Sequence, residues 1–89
     1  MNSFDIKVVG RVQGVGFRYY TKRKADDLGL VGTVKNVQDG SVHITVVGEA
    51  PILLEFITWC HTGPATALVE SLIYEAIPPQ DFEGFEILR

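Results

Sequence analysis

Between two stretches of different periodicity lie three glycines within seven residues, Gly10 to Gly16. Before them, Phe4, Ile6 and Val8 alternate with Asp5 and Lys7, the period of a half-buried strand, until Val9 breaks the pattern. After them, Phe17, Thr21, Ala25 and Leu28 recur at helical spacing, and Gly29 suits a helix C-terminal cap. The chain must therefore turn from strand into helix through a segment with little side-chain bulk. Glycines let such a backbone turn tightly and let its N–H groups converge on one point. A helix N-terminus adds free N–H groups and the positive end of its dipole, so the junction favours an anion. Arg18, in the first turn of the helix, can fold back toward the loop, and its planar fork suits phosphate oxygens. The Gly-Lys-Ser/Thr ending of a nucleotide P-loop is missing. On spacing alone, a tight connection whose glycines only relieve strain is an equal alternative.

The rest of the chain repeats this alternation of periods. Val31 to Val37 and Ser41 to Val47 read as two strands joined at Asp39-Gly40, a strong hairpin signal. In the second of them Val42, Ile44 and Val46 face one way, and His43 and Thr45 the other. Pro51 can open a second helix with Leu53, Phe56, Ile57 and Cys60 on its apolar face, and Gly63-Pro64 ends it. Ala67 to Tyr74 reads as a fourth strand. Pro78-Pro79 forces a turn, and Phe82 to Leu88 can supply a last short strand. The order β-α-β-β-α-β is that of a ferredoxin-like α+β sandwich, an antiparallel sheet with two helices on one face. In that order the first strand and the strand ending at Asn36 are expected as neighbours flanking the glycine loop.

With 89 residues the chain fits one domain, residues 1–89. Its 46% hydrophobic content and net charge of −3 exclude a disordered chain. No apolar run reaches the roughly 18 residues that span a bilayer, so no membrane partner is expected. No charged start followed by an apolar block marks a signal peptide. Cys60 is the only cysteine, so it builds neither an internal disulfide nor a cysteine metal site, and the expected compartment is the reducing cytoplasm.

Charge is unevenly spread. Seven of the eight Lys and Arg residues lie in the first 35 positions, whereas Asn36 to Leu88 holds eight carboxylates and no Lys or Arg. Lys22, Arg23 and Lys24 read as a solvated helix face balanced by Asp26 and Asp27. A net acidic chain argues against a broad nucleic-acid surface and leaves room for a small, focused anion site. His43 reads as solvated, and His61 as a helix-terminal imidazole. Two lone histidines do not make a metal site, so neither metal nor cofactor is expected. Trp59 and Cys60 read as packing residues. Of Tyr19 and Tyr20, one is expected to pack and the other to edge a pocket.

Asn36 closes the second strand beside the Val37–Gly40 turn. Its amide both donates and accepts, so it can orient a water molecule; alone, it reads as a turn residue.

The stretch Val8-x-Gly10-x-Val12-Gln13-Gly14-Val15-x-Phe17-Arg18 resembles the acylphosphatase signature at every motif position. A second stretch, Gly32-Thr33-Val34-Lys35-Asn36-x-x-x-Gly40-x-Val42 and on to Gly48, is also similar, with Thr33 in place of the family's usual aromatic. Gly63-Pro64, Ala67-x-Val69 and Phe85-x-Ile87 extend the likeness over essentially the whole chain.

The resemblance implies hydrolysis of an acyl phosphate to a carboxylate and inorganic phosphate, without metal or cofactor. It implies that Arg11, Val12, Gln13, Gly14, Val15, Gly16 and Phe17 cradle the phosphoryl group through backbone N–H groups. Arg18 would bind its oxygens and Asn36 would position the attacking water. The implied partners are a small acyl phosphate and, in competition, phosphate or sulfate, with the chain a monomer. The physics agrees: phosphoryl transfer needs positioning and charge stabilisation, and a carboxylate leaving group needs no strong acid. Neither motif places a His or carboxylate at a matched position, so the water's proton is expected to pass to the substrate phosphate.

Two other readings remain. Ferredoxin-like sheets bind RNA through aromatics on a central strand, but Ser41 to Val47 has none. Domains similar to acylphosphatases also form the N-terminal part of hydrogenase-maturation carbamoyltransferases; a chain ending at Arg89 leads us to expect the free enzyme.

Overall fold

The computed structural model describes residues 1–89. Its elements are β1 (Asn2–Arg11), α1 (Phe17–Leu28), β2 (Val31–Asn36), β3 (Val42–Gly48), α2 (Ala50–Thr62), β4 (Leu68–Ile77) and β5 (Phe85–Ile87). The strands form one sheet in the order β4-β1-β3-β2-β5. β1 pairs antiparallel with both β3 and β4, and β2 pairs antiparallel with β3. The expected ferredoxin-like α+β fold is present in these four strands and two helices. The short β5 adds a parallel edge beside β2.

One expectation fails. β1 and β2 are not neighbours, because β3 lies between them. Both pair antiparallel with β3 and so run in the same direction, joined by the α1 crossover. The hairpin returns β3 in the opposite direction, and the gap between two like-directed strands is where it finds two antiparallel partners. Any link between the glycine loop and Asn36 is therefore made by side chains and loops rather than by strand pairing.

The pleat sorts the side chains as the alternation predicts. Ile6, Val8, Val34, Val42, Ile44 and Val46 are fully buried on the face covered by the helices. Phe17, Thr21 and Ala25 of α1 and Leu53, Phe56, Ile57 and Cys60 of α2 close the core from above. Phe56 packs against Trp59 and Phe85, so α2 and β5 share one aromatic cluster. Removing a buried ring of this size costs about 3–5 kcal/mol. Lys22 is less free than its charge run suggests: its Nζ donates to Asp26 at 2.9 Å and to the Phe85 carbonyl at 2.8 Å, tying α1 to β5.

The other face of the sheet is open and polar. His43 stands 3.7 Å from Asp5, which also accepts a hydrogen bond from Thr45 Oγ1 at 3.0 Å. Thr33 pairs with Thr45 across β2 and β3 on this face.

Asp39 locks the turn between β2 and β3. Its Oδ1 accepts from the Ser41 hydroxyl at 2.6 Å and the Ser41 amide at 2.9 Å, and its Oδ2 pairs with Lys7 at 3.1 Å. The two Ser41 hydrogen bonds, then Lys7, hold its pKa down at about 2, from an ordinary 3.8. A carboxylate depressed in the folded state adds stability above its unfolded pKa and loses it as pH falls toward the folded value. Wild-type protein is therefore expected to exceed Asp39→Asn in urea midpoint at pH 6. The gap should close as the pH falls from about 4 to about 2. Urea unfolding followed by circular dichroism across that range checks it.

Candidate active site

The segment between β1 and α1 holds its shape through two left-handed glycines. Gly14 and Gly16 have φ of +73° and +79°, values that a side chain would strain. Gly16 is the residue capping α1, yet no side chain caps the helix and its first turn has no carboxylate. The backbone N–H groups of residues 13–19 find no acceptor within the protein; the first donor of α1 is Tyr20, bonded to the Gly16 carbonyl at 3.1 Å. Seven consecutive donors without acceptors thus lie next to the positive helix end.

Three contacts hold this loop still. Gln13 Nε2 donates to the carbonyls of Val37 and Ser41 at 2.7 and 2.8 Å, reaching past the end of β3 to the turn that follows Asn36. This side chain makes the link that strand adjacency does not. On the other side, Thr66 Oγ1 donates to the Val15 carbonyl at 2.6 Å. Behind the loop, Phe17 is buried and tilts against Trp59 at 6.0 Å. Gly63 lets that ring in, since a Cβ there would stand 2.6 Å from Phe17 Cε2.

Val12, Gly14, Gly16, Phe17 and Arg18 line a cavity of about 250 Å³, and Asn36 enters it from the end of β2. Three of the expected residues do not line it. Arg11 ends β1 opposite Leu68, and its side chain opens onto a separate hollow with Asp39 and Glu70. The Gln13 side chain is turned away to the hairpin, and Val15 is held at its carbonyl by Thr66. Tyr19, Ile87 and Arg89 complete the wall. The spacing signals missed Ile87 and Arg89, because they reach the cavity only through the parallel pairing of β5 with β2. Leu88 N donates to the Val34 carbonyl at 2.8 Å, and the Leu88 carbonyl in turn accepts from Arg18 Nη1 at 3.3 Å. The Arg18 guanidinium is thus steered toward β5 rather than folded back over the glycines alone.

Asn36 does not behave as a turn residue. The turn is closed by Asp39, Ser41 and the backbone of Val37, and Asn36 makes none of those bonds. Its Oδ1 is buried with no hydrogen-bond partner. An orphaned acceptor of this kind costs free energy unless something in the cavity meets it.

A larger hollow of about 540 Å³ lies on the open sheet face, with Lys7, Lys35 and His43, and touches the first cavity at Asn36 and Arg89. Size does not select it, because the free amides face the smaller cavity. Burial pushes the Cys60 thiol well above its ordinary pKa, so Cys60 supplies no thiolate. No helix is long and apolar enough to cross a membrane.

A glycine loop at the first β-to-α junction of a ferredoxin-like sandwich, with free backbone donors and with an arginine and an asparagine lining the same cavity, is the arrangement of a protein that handles small anions. The family model described as Acylphosphatase matches residues 4–87. An acylphosphatase of Trichormus variabilis is 46% identical over 82 residues, 92% of this chain and 81% of that protein. The structure of an acylphosphatase from Coxiella burnetii superposes with a TM-score of 0.95 at 33% identity, covering 98% of this chain and 92% of that one. The crystal structure of acylphosphatase from Bacillus subtilis gives 0.91 at 35% identity, over the full length of both chains. The chain belongs to the acylphosphatase family, hydrolases of acyl phosphates.

If Gln13 is what fixes the loop against the hairpin, Gln13→Ala leaves the Val37 and Ser41 carbonyls short of a donor. Stability should fall by about 1–3 kcal/mol in urea unfolding. Inhibition by inorganic phosphate should weaken in the same variant, because the amides no longer share one fixed target.

Proposed function

We propose that the amides of residues 13–17 hold the phosphoryl group of an acyl phosphate, with Arg18 on its oxygens and Asn36 on the attacking water. The observation that carries this is the run of N–H groups without acceptors, with Gly14, Gly16, Phe17, Arg18 and Asn36 lining one cavity. The Asn36 side-chain amide holds the water by hydrogen bonding and turns an oxygen lone pair toward phosphorus. Water attacks as the acyl oxygen leaves in line behind it. Charge on the equatorial oxygens is met by amides and guanidinium already in place, which spares reorganisation at the moment of reaction. The leaving carboxylate is stable without protonation, and the water's proton passes to the phosphoryl oxygens. Phosphate or sulfate competes for the cradle. The chain works as a monomer in the cytoplasm, a reading supported by the unpaired, buried Cys60.

The two residues separate by role. Arg18→Ala should weaken phosphate inhibition and lower kcat together. Asn36→Ala should leave phosphate inhibition nearly intact while kcat falls by roughly 10²–10³. A folded Asn36→Ala protein with full kcat would overturn the water assignment. Phosphate release from a model acyl phosphate should also continue undiminished in excess chelator; loss of activity restored by a divalent cation would overturn a mechanism built on amides and Arg18 alone.

A further inference from the structure

We propose that Tyr19 is the residue that selects the acyl group, favouring aromatic and other bulky apolar acyl phosphates over small ones; this rests on the catalytic reading above. In-line displacement places the attacking and leaving oxygens on opposite sides of phosphorus. Asn36, which holds the water, belongs to the sheet. The acyl oxygen therefore departs on the side turned away from the sheet.

Tyr19 stands on that side. Phe17, Thr21 and Ala25 mark the buried face of α1, and two residues beyond Phe17 is about 200° around a helix. Phe17 is accordingly 2% exposed and Tyr19 57% exposed, although both line the same cavity. The Tyr19 ring is not loose. It meets Tyr20 edge to face at 5.1 Å and 81°. Tyr20 in turn lies over Gly16, where a Cβ would come within 3.5 Å of its Cε2. The two rings thus present a flat apolar surface beside the glycine loop, on the side where the acyl oxygen leaves. A tyrosine supplies contact area at a small entropic cost, since two torsions fix it.

The larger hollow at Lys7, Lys35 and His43 is the competing place for an acyl group. It lies beyond Asn36, on the water's side of phosphorus, and in-line geometry keeps the leaving group out of it.

The test compares benzoyl phosphate with acetyl phosphate in wild type, Tyr19→Ala, Tyr19→Phe and Lys35→Gln. The ratio of kcat/KM for benzoyl over acetyl phosphate should fall roughly three- to tenfold in Tyr19→Ala, the range of one aromatic contact. It should hold in Tyr19→Phe, which keeps the ring, and in Lys35→Gln. A ratio unchanged in Tyr19→Ala, or falling as far in Lys35→Gln, overturns the proposal while leaving the catalytic reading intact. A wild-type protein that hydrolyses neither substrate brings down the catalytic reading, and the acyl platform with it.

Discussion

The backbone N–H groups of residues 13–19 have no acceptor in the protein, and four separate parts of the chain fix the segment that carries them. A helix usually begins with a side chain that satisfies one or two of its first donors. Here the capping position is a left-handed glycine, which has no side chain to offer. Left alone, such a segment would rotate its amides toward water or collapse onto its own carbonyls. It does neither because its ends and middle are fixed from outside: β1 at Arg11, the hairpin through Gln13, the α2–β4 connection through Thr66, and the core through Phe17. The packing of Phe17 against Trp59 and Gly63 thus anchors the end of the segment that carries these donors.

This arrangement explains why so distant a part of the chain as Gly63 to Ala67 belongs with the glycine loop. Gly63 is small because the Phe17 ring occupies the space beside it, and the turn that follows carries Thr66 to the Val15 carbonyl. The connection between α2 and β4 therefore buttresses the anion loop on the side opposite the hairpin. Asp39 performs the corresponding task from below. By fixing the turn through Ser41, it fixes the two carbonyls that Gln13 reaches, Val37 and Ser41.

Period and punctuation made most of the fold legible before the structure. The alternation of Phe4, Ile6 and Val8, the helical spacing from Phe17 and the Asp39-Gly40 turn each report a local preference that burial then reinforces. The glycine loop was legible for the same reason: glycines between a strand and a helix are a local feature. What local pattern does not carry is the order of strands. β3 sits between β1 and β2 because of chain direction, which no single segment encodes. The Gln13 tether follows from that order, so the sequence could mark Gln13 as part of a motif without saying what it holds. Arg89 is further from view still, because one isolated cation has no spacing to interpret. Asn36 shows the opposite case. Its type and position alone read as a turn residue, yet the structure gives it no bond in the turn and leaves its Oδ1 without a partner.

The parallel edge strand is where these non-local effects meet the chemistry. β5 is three residues long and would be unstable as an isolated strand. It is held by Gly32 N donating to the Gly84 carbonyl at 2.9 Å, by Leu88 N on Val34, by Lys22 on the Phe85 carbonyl and by Phe85 on Phe56. Those contacts bring the Leu88 carbonyl to Arg18. A guanidinium has five N–H donors in one plane, so tying one of them to a fixed carbonyl restricts how the remaining ones can point. An anion bound by Arg18, as proposed, would meet a side chain with less entropy to lose. The same strand that completes the sheet beside β2 thereby orients the one cation that α1 presents to the amides.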